Sequence, residues 1–201
     1  MYVSEVAFWT HRALWQLLFS GKFDKFPGLK YCVVECGSWW VGDLLWKADV
    51  NFGASWKIKK MSSRMKGLLT KLPSEYFGDS VFIGASTMSR YEIRERHRNG
   101  IDALMWGTDY PHPEGSWPNT VHRLENDFQD VSIEDTRRLL GLNAIECYDL
   151  DVEGLTTVAN RIGPTPEKLN QDPALRTSPT AKRDARWWFD EYGIEWSGPE
   201  N

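Results

Sequence analysis

Three short apolar runs, each followed by residues at helical spacing, constrain this chain more than any other feature. Residues 29–35 (Leu-Lys-Tyr-Cys-Val-Val-Glu) follow Pro27-Gly28 and carry the β-branched and aromatic side chains of a buried strand. Ser38 then stands where a helix needs a cap, and Val41, Leu44, Leu45 and Ala48 recur at helical spacing. Ser80 to Ala85 is a second strand, followed by Ser89-Arg-Tyr-Glu92, a reciprocal capping pattern that opens a charged helix ended by Gly100. Ala103 to Trp106 is a third strand, and the helix opened by Ser132-x-x-Asp135 is expected to end at Gly141. Ahead of these, Tyr2 to Ala7 is expected to be the remnant of an earlier strand, with Arg12 to Phe19 as its helix. Strands alternating with helices predict an α/β fold built on a parallel sheet.

Chemistry in such sheets collects at the carboxyl ends of the strands. Asp109 stands just past the third strand, in Gly107-Thr-Asp-Tyr-Pro-His-Pro-Glu114. A carboxylate there can ligate a metal or accept a proton; its plainer role is to cap the Tyr110-Pro111 turn. His112 sits in a Pro-His-Pro frame that stiffens it for proton transfer, substrate binding or orientation of Asp109. Glu114 reads as a solvated loop charge. Glu35 ends the first strand and faces the same mouth, as a ligand, a base or a carboxylate that ties loops together. Trp39, Trp40, Trp106 and Trp117, among 11 tryptophans, crowd the places where a pocket would form. Ser86 and Thr87 end the second strand, but no nucleophile elbow surrounds them.

The segment from Trp106-Gly-Thr-Asp-Tyr-Pro-His112 resembles the last strand and loop of the amidohydrolase-related family, metal-dependent TIM barrels that include aminocarboxymuconate semialdehyde decarboxylase. Ser20 to Lys30, Leu72-Pro-Ser-Glu-Tyr-Phe77 and Leu140-Gly-Leu-Asn-Ala144 extend the likeness in order to about Ile162. The resemblance implies a metal-dependent hydrolase or carboxy-lyase for a small, carboxylated or cyclic organic substrate. It implies a divalent ion, zinc or manganese, on Asp109, assisted by Glu35 and His112, with Trp39, Trp106 and Trp117 shaping an apolar pocket. Many relatives carry a histidine ligand at the strand end where this chain offers Glu35 or Cys36. Glu5 and His11 lie where a further ligand is expected, although neither aligns with it.

A closed barrel needs eight β/α units and typically about 250 residues. Against the family, the 201 residues hold units five to eight, the C-terminal half of a (β/α)8 barrel, over 1–162. The paired H-x-H of the family's first strand has no counterpart among His11, His97, His112 and His122. A non-catalytic half-barrel, a subunit that self-associates, and one that accepts a complementing N-terminal half therefore stand beside the enzyme. Residues 163–201 read as a Pro-rich tail with a terminal aromatic segment, Ala185 to Tyr192.

The net charge of −4 disfavours nucleic acid as a partner, and no apolar run approaches the roughly 20 residues that span a bilayer. Three cysteines, an odd number, fit reduced thiols in a cytoplasmic protein, with Cys32 and Cys147 as core residues. Lys57, Lys59, Lys60, Arg64, Lys66 and Lys71 form a basic stretch, read as a solvated helix face or an attractor of anions.

Overall fold

The three apolar runs pair as one parallel sheet. In a computed structural model that describes residues 2–55 and 68–169, helix α1 (Tyr2–Leu18) and the short α2 (Lys22–Lys25) precede strand β1 (Tyr31–Val34) and helix α3 (Val41–Ser55). A 3-10 turn at Pro73–Tyr76 leads to β2 (Val81–Ser86) and α4 (Arg90–Arg94), and another at Ile101–Ala103 leads to β3 (Leu104–Gly107). Then come α5 (Thr120–Phe128), α6 (Ile133–Arg137), a π-helical turn (Arg138–Leu142), α7 (Asn143–Tyr148), α8 (Val152–Ile162) and α9 (Pro166–Leu169). The sheet order is β1-β2-β3, with Tyr31 level with Val81 and Ile83 level with Leu104. Among the described residues β1 and β3 each pair on one side only.

Strand periodicity divides the side chains between two faces. Val33, Val81, Ile83, Ala85 and Leu104 enter the main core with Val41, Leu44 and Ala48 of α3 and Leu14 and Leu18 of α1. Each large apolar side chain buried there contributes about 1.5–3 kcal/mol. The alternate residues Cys32, Phe82 and Met105 form a smaller cluster with Ala144 and Cys147 of α7. This second face is closed near the strand starts because Asn143, fully buried, donates from Nδ2 to the carbonyls of Ile101 and Leu104, both at 2.7 Å.

Three expectations are corrected. Residues 2–18 form one helix rather than a strand and a helix: no Pro or Gly interrupts them, and Leu14 and Leu18 bury the same helical face. The helix begun at Ser132 does not end at Gly141 but continues through the π-helical turn into α7, held by the anchoring of Asn143. The charged helix after Ser89 stops at Arg94, well before Gly100. The strands themselves fall within one or two residues of expectation, and Ser89 and Ser132 cap as the pattern requires. The basic stretch from Lys57 to Lys66 and residues 170–201, with the aromatic segment at 185–192, lie outside the described residues. No helix among the described residues is long and apolar enough to cross a membrane.

Candidate metal centre

Each strand ends on a residue forced out of extended geometry. Glu35 after β1, Thr87 after β2 and Asp109 after β3 have φ of 60, 45 and 59°, a left-handed conformation that costs a side-chain-bearing residue about 1–2 kcal/mol. Such strain persists only where surrounding contacts enforce it. The Glu35 amide still donates to the Gly84 carbonyl (3.0 Å), and the Thr87 amide to Gly107 (2.8 Å), so the turns begin from fixed points. The Thr87 carbonyl accepts from Arg123 Nη2 at 3.2 Å; Arg123 is buried and paired with buried Asp127. The loop after Asp109 folds on itself through His112 amide to Asp109 carbonyl (2.9 Å) and Ser116 amide to Thr108 carbonyl (2.8 Å). Gly115 is packed so closely that a Cβ there would lie 2.8 Å from the Thr108 oxygen.

These turns bring Glu35, Asp109 and His112 together, with one potential ligand atom from each lying within 4.8 Å of the others. His112 Nδ1 is 3.2 Å from Asp109 Oδ1; the carboxylate side chain is 12% exposed and the imidazole 53%. Two donors on one cation with bonds near 2.1 Å stand about 3.4 Å apart in a tetrahedral arrangement, so this pair needs little movement to chelate. Two carboxylates and an imidazole suit a borderline or hard divalent ion such as zinc or manganese.

The choice at the end of β1 falls on Glu35. Cys36 turns to α1, where its Sγ lies 3.2 Å from the Thr10 hydroxyl. His11 does not join the cluster: its ring lies against Trp40 at 4.0 Å, its Nε2 is buried without a hydrogen-bond partner, and burial lowers its pKa. Glu5 and Glu114 are exposed and stand outside the cluster. Of the expected pocket aromatics, Trp39 and Trp117 are 54% and 67% exposed, and Trp117 meets Tyr110 edge to face at 5.7 Å. Trp106, on β3, is partly buried and packs against the main core on the same strand face as Leu104.

Two residues that hold the strand ends escaped the sequence reading. Glu92 shows only a capping pattern, yet its buried carboxylate also accepts from the amide and hydroxyl of Ser38, in the turn that follows Glu35. Arg123 left one signal, its spacing of four from Asp127 on a helix.

The family model described as amidohydrolase matches residues 8–150. The chain belongs to the amidohydrolase family. Members of this family are generally metal-dependent, and the cluster above is the metal-competent group among the described residues. The amidohydrolase chain resembles two solved structures in fold. One is an amidohydrolase from Mycobacterium avium subsp. paratuberculosis K-10: 23% identity, TM-score 0.51, covering 68% of this chain and 32% of that one. The other is 5-carboxyvanillate decarboxylase from Sphingomonas paucimobilis: 24% identity, TM-score 0.51, covering 69% and 39%. The chain thus spans about a third of the first and about two fifths of the second. No curated protein matches it.

Proposed function

We propose that this amidohydrolase chain forms part of a metal-dependent hydrolase or carboxy-lyase acting on a small carboxylated or cyclic organic substrate. The supporting observation is the convergence of Glu35, Asp109 and His112 at the carboxyl ends of β1 and β3. Asp109 and Glu35 hold a divalent ion, with His112 as a further donor or as the group that orients Asp109. Such an ion, when bound, supplies Lewis acidity toward a substrate carbonyl or carboxylate oxygen. Asp109, the more buried carboxylate, accepts a proton in hydrolysis. In decarboxylation Asp109, once protonated, delivers a proton to the carbon that loses carbon dioxide, and the half-exposed His112 ring, 3.2 Å away, connects it to solvent. Trp39, Trp117 and Tyr110 offer exposed apolar faces to a flat ring. The solved 5-carboxyvanillate decarboxylase, whose substrate is an aromatic acid, lends weight to the carboxy-lyase arm.

A second reading concerns completeness. The sheet corresponds to the later units of a (β/α)8 barrel, and a complementing N-terminal half or a second copy finishes the site. Among the described residues β1 and β3 each pair on one side only, which favours it, as do the exposed apolar side chains of α8 (Val152, Leu155, Val158, Ile162).

Elemental analysis of the purified chain, with its mass by light scattering, tests both readings. Near-stoichiometric zinc or manganese that is lost on Asp109→Ala is the expected result for the site, and an oligomer is expected for the second reading. A folded chain that takes up neither metal, alone or with a companion half, refutes the metal centre.

A further inference from the structure

Away from the strand ends, the second sheet face holds two thiols that the proposed chemistry does not use. Cys32 on β1 and Cys147 on α7 belong to the same apolar cluster, with Phe82, Met105 and Ala144. Both are free thiols. Tyr148, the next residue of α7, donates its hydroxyl to Cys32 Sγ at 3.4 Å. Lys30, just before β1, reaches over the Phe82 ring (5.6 Å) to the Glu146 carbonyl, which places an ammonium beside the pair.

We propose that Cys32 and Cys147 are a reversible disulfide site, closed by a low-molecular-weight disulfide such as that of glutathione, which ties α7 to β1. Cys32 is the half-buried member and the entry point. Its thiolate, helped by the Tyr148 hydroxyl, attacks the reagent's sulfur–sulfur bond and forms a mixed disulfide as one glutathione thiolate departs. Cys147 then loses its proton and attacks Cys32 Sγ, expelling the second glutathione. The two protein thiols are oxidised by two electrons in all, the reagent is reduced to two thiols, and the two protons end on glutathione. Burial first, and the neighbouring Cys32 next, push the Cys147 thiol up to about 11, so closure is slow at neutral pH and speeds as pH rises. The product locks the helix that Asn143 already anchors at the start of β3.

The test treats the folded full-length chain with glutathione disulfide at mildly alkaline pH, blocks residual thiols, and reads intact mass and a non-reducing peptide map. The expected product has lost the mass of two hydrogens and joins the peptides of Cys32 and Cys147. Dithiothreitol reverses it. Cys36→Ser leaves the cross-link intact, and Cys147→Ser stops at one glutathione on residue 32. Near-ultraviolet circular dichroism confirms that each variant is folded. A cross-link through Cys36, arrest of the natural chain at the mixed disulfide, or no cross-link in the folded chain overturns the proposal.

Discussion

Glu92→Gln should damage the fold far more than a change of one atom in a side chain suggests. The Glu92 carboxylate is buried and receives four donors: the amide and hydroxyl of Ser38 on Oε1 (the hydroxyl at 3.0 Å), and the amide and hydroxyl of Ser89 on Oε2 (2.9 and 2.7 Å). Glutamine keeps the volume but replaces one oxygen with an NH2 group. The hydroxyl on that side can rotate to accept, whereas the backbone amide cannot, so one buried N–H loses its partner. That costs about 1–3 kcal/mol, and weakening the remaining bonds from charge-assisted to neutral adds about 1 kcal/mol. The sum, about 2–4 kcal/mol, is a large share of the 5–15 kcal/mol that holds a typical domain together. Urea denaturation followed by tryptophan fluorescence reads it directly, and a thermal scan should fall by roughly 3 °C per kcal/mol. Because Ser38 lies three residues after Glu35, the variant should also hold metal less tightly at the strand ends. A loss below about 0.5 kcal/mol would show that the four bonds add nothing net to stability, and the account of how the Glu35 turn is held would fail.

Two further perturbations probe the frame. Burial alone pushes the Asp135 carboxyl up, but Arg96 (2.6 Å) and then His97 (3.0 Å) outweigh it and hold the group below its ordinary value of 3.8. Its contribution is therefore full above that value and fades as pH falls through the depressed one; Asp135→Asn should flatten this acid limb in a urea-midpoint series and cost about 1–2 kcal/mol at neutral pH. Asn143→Ala removes both donors from the Ile101 and Leu104 carbonyls and should cost about 2–4 kcal/mol in the same assay, with protection of β3 amides lost in hydrogen exchange.

The strands and their order were legible because buried parallel strands need continuous apolar runs, and Cys32-Val33-Val34, Val81-Phe82-Ile83 and Leu104-Met105-Trp106 supply them. Asp109, His112 and Glu35 were legible as strand-end residues for the same reason. What the sequence concealed depends on partners far along the chain. Nothing near Cys36 shows that its thiol turns to Thr10, a contact that only the packing of α1 reveals. The packing of Trp106 against the main core was not legible, because four residues of apolar strand do not reveal which face each one takes. The first helix was missed because Tyr2, Val3 and Val6 are strand-favouring residue types, and the burial of Leu14 and Leu18 in the main core decides it.

The left-handed strand ends carry a consequence for any attempt to improve this protein. Glycine adopts that conformation without penalty, so Glu35→Gly or Asp109→Gly would relieve about 1 kcal/mol of backbone strain while deleting a proposed metal donor. A screen that rewards thermal tolerance alone would therefore drift toward glycine at the positions proposed to carry the chemistry. The more robust the survivors became, the less they would be able to hold an ion.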